Sequence, residues 1–271
     1  MKENTMSTKK SALRFADRLG IRPLIDFSYR KFKNVNYYMA GDTYTIKAGT
    51  TTARFLIPTQ NEFTDFQQIG ERPIIEDLLA EIRPDDVFYD IGANTGLYSC
   101  LVADVVDQPV IAFEPHPENA DRLEQNAELN GSDVTVYRHA LSDTAGEAEL
   151  SLTLDKVGSA GHSLMTNDDA TGSITITMKC GDAFIDDNDL PEPSVLKIDV
   201  EGAEGNVLKG LSSTLSRTDC RLVYCEVHGD RLESAGYSKA RLREILEGHG
   251  FTVSQQRIGD GEGETFLIGK K

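Results

Sequence analysis

Ten consecutive residues, Val87-Phe88-Tyr89-Asp90-Ile91-Gly92-Ala93-Asn94-Thr95-Gly96, constrain this chain more than any other stretch. An apolar run ends in an aspartate. A loop with Gly92 and Gly96 follows, then an amphipathic segment from Leu97 to Val106. The pattern is strand, loop, helix. The glycines stand where the backbone must turn and where a ligand can come close. Such a unit belongs in a doubly wound sheet, whose ligands sit beyond the carboxyl ends of its strands.

The rest of the chain supplies the partners that this unit needs. Pro73 to Ile82 is amphipathic with proline at its start, and Arg83-Pro84 breaks it. Val110 to Phe113 reads as a second strand, Pro117 to Asn130 as a helix stopped by Gly131, and Val134 to Tyr137 as a third strand. Segments 147–154 and 174–178 alternate as half-buried strands. Residues 156–172 are rich in Gly, Ser, Asn and Asp and read as a flexible loop or lid. Val195 to Asp199 and Leu222 to Val227 are further buried strands. Ser238 caps a helix with Leu242, Ile245 and Leu246 on one face. Segments 251–253 and 265–268 close the chain as a hairpin, which puts one antiparallel strand into a mainly parallel sheet. Upstream, residues 44–58 read as a β-hairpin, and Leu13 to Gly20 as a short helix. The expected division is residues 1–70 as an N-terminal extension packed on a catalytic domain at 71–271.

Composition narrows the chemistry. The chain has 271 residues and 39% apolar content, enough for a sizeable core. Its net charge of −16 repels a polyphosphate, so generic nucleic-acid binding is disfavoured. Such an acidic surface also suits a protein adapted to high salt, which stability measured against KCl concentration tests. Cys100, Cys180, Cys220 and Cys225 show no metal or disulfide spacing and read as free thiols in a reducing compartment. There is no run of ~18 apolar residues for a membrane span. No apolar segment near the N-terminus resembles a secretory signal. The expectation is a cytoplasmic protein.

Four polar groups converge at strand ends: Asp90, Glu114, Asp143 and Asp199. Glu114 follows Gly92 by 22 residues, the spacing at which a carboxylate ending the second strand accepts bonds from two ribose hydroxyls. The loop is not GxGxxG, and Asp90 would repel a pyrophosphate beside it. A ligand with a sulfonium, an ammonium and a ribose fits that charge better than NAD does. S-adenosylmethionine carries all three groups.

Asp90-Ile-Gly-Ala-Asn-Thr-Gly96, Ala112-Phe-Glu-Pro115 with Asn126 and Asn130, Ala140-Leu-Ser-Asp143 and Leu196-Lys-Ile-Asp-Val-Glu-Gly-Ala-Glu204 stand in order along residues 71–228. Together they resemble the FkbM family of S-adenosylmethionine-dependent methyltransferases. The resemblance implies an α/β, Rossmann-like class I methyltransferase fold with a seven-stranded, mostly parallel sheet. It implies O-methylation of a small molecule, sugar or glycan. It places Asp90, Gly92, Asn94 and Gly96 on the methionine side of the cofactor, and Glu114, followed by Pro115, at the ribose. Ala140 and Leu141 fall near the adenine, with Asp143 beside them, and Asp199 faces the transfer zone. Tyr98, one turn into the first helix, is a further candidate for packing on the cofactor.

An alcohol acceptor must lose a proton. Asp199, Glu226 and His228 are the candidate groups, with Glu201 nearby, and His228 leads because its ordinary pKa is near neutrality. A metal held by Asp199, Glu226 and His228 is a further reading, but one histidine and scattered carboxylates do not by themselves specify a metal, and none is assigned. Lys197 reads as a strand residue paired to Glu201 or Glu204. His116, His139, His162 and His249 read as loop or structural residues, with His162 an open case between solvent and acceptor. Two other classes stay open. A nicotinamide-dependent oxidoreductase would bind NAD, and a non-catalytic scaffold would bind cofactor without turnover.

Overall fold

The computed structural model describes residues 37–39, 41–152, 172–259 and 265–271. The helix expected within residues 13–20 lies outside the described residues, as does the lid expected at 156–172 apart from Gly172, which begins a strand. Contacts divide the chain into two compact units. The smaller comprises Met1–Tyr44 and Ile57–Gln67, the larger Thr45–Leu56 and Gln68–Lys271. Within the smaller unit, Tyr44 meets Phe63 edge-on at 5.4 Å between ring centroids, and the Tyr37 hydroxyl donates to the Pro58 carbonyl.

In chain order the strands are β1 (Thr43–Ala48), β2 (Thr51–Leu56), β3 (Phe88–Ile91), β4 (Val110–Phe113), β5 (Val134–Tyr137), β6 (Ala140–Ser142), β7 (Gly146–Leu152), β8 (Gly172–Cys180), β9 (Val195–Ile198), β10 (Leu222–Val227), β11 (Thr252–Arg257) and β12 (Thr265–Lys270). The helices are α1 (Gln60–Gln67), α2 (Arg72–Glu81), α3 (Leu97–Val102), α4 (Pro117–Asn130), α5 (Gly181–Asp187), α6 (Glu204–Gly210), α7 (Ser212–Ser216), α8 (Gly229–Ser234) and α9 (Lys239–Gly248).

Seven strands form the central sheet in the order β11-β12-β10-β9-β3-β4-β5. The pairs from β10 to β5 are parallel, whereas β12 runs antiparallel to both β10 and β11. This is the expected seven-stranded, mostly parallel sheet with one antiparallel strand. Strands β3, β4 and β9 are buried at every residue, which is why they read as unbroken apolar runs. The chain runs outward from β3 through β4 to β5, then returns to lay β9 on the other side of β3. The crevice between β3 and β9 is therefore the switch point where such sheets bind ligands.

Helices complete the core. Leu208 of α6 and Leu242 and Leu246 of α9 are fully buried with Leu196 and Val223 of the sheet. Each such leucine contributes about 1.5–3 kcal/mol by its burial. The segments 147–154 and 174–178 do not join the main sheet. Their described residues belong to β7 and β8 of a separate three-stranded sheet ordered β6-β8-β7, with Leu150, Leu152 and Ile176 as its small core. Helix α3 is shorter than the amphipathic pattern suggested. The Val102 carbonyl accepts from both Val105 and Val106, a tightened turn that ends it. Asn126 and Asn130 of α4 hold the edge of β2: their side-chain oxygens accept from the Leu56 and Arg54 amides at 3.0 and 2.7 Å. Among the described residues no helix is long and apolar enough to cross a membrane.

Candidate functional site

The register of β3 against β9 sets Asp90 beside Lys197. Both are buried in the sheet. The Asp90 carboxylate accepts from the Ser99 amide at 3.0 Å and its hydroxyl at 2.6 Å, and its other oxygen lies 3.4 Å from Lys197 Nζ. The same ammonium donates to the Gly92 carbonyl at 2.8 Å and reaches Asp199 Oδ2 at 3.2 Å. Burial opposes its charge, but Asp199 and Asp90 outweigh that and raise its pKa. Lys197 is thus a buried strut joining the ends of β3 and β9. Its partners are Asp90 and Asp199, not Glu201 or Glu204, because alternation along β9 points residues 197 and 199 to the same side.

The loop after β3 is shaped by that strut. Gly92 has φ +76°, and a Cβ there would stand 1.8 Å from the Asp199 carbonyl oxygen. Only glycine permits this approach. Asn94 also has positive φ, 51°. Its amide donates to Glu114 Oε2 at 2.8 Å, while its own Oδ1 is buried with no hydrogen-bond partner. Glu114 Oε1 accepts from the His116 amide at 2.8 Å. Burial pushes the Glu114 carboxyl up to about 7, against the opposing pull of those two amides and Lys197.

A cleft opens above these residues. Seven of the expected cofactor residues line it: Gly92, Asn94, Glu114, Pro115, Ala140, Leu141 and Asp199. Four do not. Asp90 is turned into the sheet to meet Ser99 and Lys197. Gly96 serves packing, since a Cβ there would come within 2.9 Å of Leu123 Cγ. Tyr98 is buried, donates its hydroxyl to Glu71 Oε2 at 2.7 Å and lies under Lys197. Asp143 accepts from the Ser142 hydroxyl at 3.3 Å and is not among the lining residues. Glu71, Asn119, His139, Glu201, Leu150 and Ile176 also line the cleft. Glu71 and Asn119 carry no motif. Leu150 and Ile176 come from the small sheet, whose placement alternation alone could not reveal.

A second cluster adjoins the cleft. His228 caps α8 just past β10. Its Nδ1 lies 2.6 Å from Oε1 of the fully buried Glu204, which also accepts from the Gly202 amide. Its Nε2 stands 3.4 Å from Glu201, 3.6 Å from Asp199 and 3.6 Å from Glu226. Burial disfavours the imidazolium, but the Glu204 hydrogen bond and the charges of Asp199, Glu204 and Glu226 raise the pKa to about 9. All three expected chemical residues are therefore together. Glu201 holds Arg231. A second cavity is lined by His228, Arg231, Lys239, Arg257 and Thr265 among others.

The chain is similar to known proteins. The family model described as the methyltransferase FkbM domain matches residues 90–253. The hexuronic acid methyltransferase AglP of Haloferax volcanii is 30% identical over 221 residues, covering 81% of this chain and 85% of that protein. The 31-O-demethyl-FK506 methyltransferase FkbM of Streptomyces tacrolimicus is 27% identical, covering 64% of this chain and 75% of that protein. Among solved structures, a methyltransferase FkbM from Methylobacillus flagellatus KT aligns with a TM-score of 0.49 and 15% identity. That alignment covers 72% of this chain and 46% of the other.

Proposed function

This chain belongs to the FkbM family of methyltransferases, and on that premise we propose that it moves a methyl group from S-adenosylmethionine to an oxygen of an acidic sugar. The observation that carries the reading is the position of Asp199. It walls the first cleft and faces His228, which lines the second cavity. A donor in the one and an acceptor in the other would meet at that pair. We assign the chemistry to residues 71–271, with residues 1–70 as an extension.

The residues of the first cleft fit the donor. Each Glu114 oxygen takes one backbone amide and keeps capacity for a ribose hydroxyl. The partnerless Oδ1 of Asn94 suits an ammonium. Phe113, Leu141, Leu150 and Ile176 offer an apolar wall to a purine. S-adenosylmethionine supplies an electrophilic methyl carbon on its sulfonium. The protein holds the two reactants in line and excludes water, which is where most of the rate arises.

In the second cavity, Lys239 and Arg257 present positive charge suited to a sugar carboxylate. The AglP relative, a hexuronic acid methyltransferase, supports an acidic sugar. Glu226, Asp199 and His228 manage the acceptor's proton. Asp199 Oδ1 and His228 Nε2 stand 3.6 Å apart, so an acceptor hydroxyl lying between them has a carboxylate and an imidazole within reach. Calorimetry with S-adenosylmethionine, S-adenosylhomocysteine and NAD tests the donor. The first two should bind. Binding of NAD alone would overturn the assignment and favour the oxidoreductase.

A further inference from the structure

We propose that Asp199, which walls the first cleft, His228, which lines the second cavity, and Glu226 bind one divalent metal ion. One carboxylate oxygen from each acid and one ring nitrogen all lie within 4.8 Å of one another. His228 Nε2 is 3.6 Å from both Asp199 Oδ1 and Glu226 Oε1. These separations are too long for hydrogen bonds. They match the edge of a coordination shell: ligands ~2.0–2.6 Å from a metal lie ~2.8–3.7 Å apart across a right angle.

Two of the three donors are held by groups behind them. Glu204, fully buried and fixed by the Gly202 amide, takes His228 Nδ1 at 2.6 Å. This pins the ring with Nε2 toward the two carboxylates, the arrangement in which a carboxylate orients a metal-binding histidine. Lys197 holds Asp199 Oδ2 at 3.2 Å, which leaves Oδ1 on the His228 side. Glu226 is fixed by its place in β10 and is buried. One nitrogen and two hard oxygens suit a first-row divalent ion rather than an all-oxygen calcium site, and Mn²⁺ is a paramagnetic member of that group that reports its own ligands. The ion takes the place of the proton on Nε2. Three protein ligands leave positions open for acceptor oxygens, which the ion would orient and acidify. That last role rests on the methyl-transfer reading, whereas the binding site does not.

The full-length protein, stripped with EDTA and titrated with Mn²⁺, tests the site without donor or acceptor. Electron paramagnetic resonance of free Mn²⁺ should show one ion bound per chain. Glu226→Gln and His228→Ala should each weaken binding at least tenfold, whereas Asp186→Asn, on an exposed helix end, should not. Pulsed measurements on the wild type should show coupling of bound Mn²⁺ to an imidazole nitrogen, which decides the matter even where a variant fails to fold. No binding, equal binding in the two variants, or no nitrogen coupling overturns the site. S-adenosylhomocysteine binding without Mn²⁺ binding would sink the metal site alone and leave methyl transfer standing.

Discussion

Glu114→Gln separates the carboxylate's cost to the fold from its use in binding. In the folded chain its pKa rises from 4.5 to about 7, mainly by burial. At about 1.4 kcal/mol per unit, that difference amounts to about 3 kcal/mol against the charged form. The sign follows from proton uptake. Between pH 4.5 and 7 the folded state holds a proton that the unfolded state has lost, so stability falls as pH rises through that window and levels off above it. Glutamine removes the charge, but its NH₂ must face one of the two amides now bound by carboxylate oxygens. A buried amide left unmatched costs about 1–3 kcal/mol. The two effects nearly offset each other above pH 7. The variant should therefore melt near or slightly above the wild type at pH 8 and lose this part of the pH dependence. Donor binding should suffer much more. Loss of one charge-assisted bond to the ribose, about 1.5–3 kcal/mol, weakens affinity about 10- to 150-fold. Calorimetry with S-adenosylhomocysteine at pH 8 and melts at pH 5 and 8 check both halves. Affinity within threefold of wild type would refute the ribose assignment. A large loss of stability at pH 8 would refute the argument from burial.

Lys197→Met should be far more harmful. It leaves Asp90, wholly buried, without its cation, and removing one partner from such a group costs about 3–5 kcal/mol, read as a drop in denaturant midpoint. Gly92→Ala should push the loop off β9, because its Cβ would overlap the Asp199 carbonyl. Donor affinity should fall sharply with the secondary structure retained, as calorimetry beside circular dichroism would show. The double change Lys239→Glu and Arg257→Glu should raise KM for an acidic sugar at least tenfold with S-adenosylhomocysteine affinity unchanged. An unaltered KM would remove the carboxylate anchor from the second cavity.

Much of this was legible in the sequence, and the reasons differ by residue. Buried parallel strands leave continuous apolar runs, so β3, β4, β9 and β10 could be read, and with them Glu114 and Asp199 at their ends. Pro117 and Gly131 bracket α4 because each favours its own helix end. Side-chain direction was harder. Asp90 stands next to the glycine loop, yet its carboxylate turns into the sheet because Ser99 and Lys197 wait there. Lys197 could be seen to need a carboxylate, but the choice among four nearby acids depends on strand register, which pairs it with Asp90. Likewise Glu204 read as a partner for Lys197, and only the return of the chain through β10 brings His228 onto it instead. Glu71, Leu150 and Ile176 reach the cleft through tertiary packing, for which no local pattern exists.

The most direct test is transfer of a labelled methyl group. The purified protein would be incubated with S-adenosylmethionine carrying labelled methyl and with a glycan containing a uronic acid, and the products read by mass spectrometry. The wild type should place one methyl group on the acidic sugar, and Asp199→Asn, still able to bind S-adenosylhomocysteine, should lose at least 100-fold in rate, a factor within the ~10²–10⁴ range of a positioned base. Label that never reaches the sugar, or an Asp199→Asn variant as fast as wild type, would contradict the assignment of Asp199 and His228 as the meeting point of donor and acceptor.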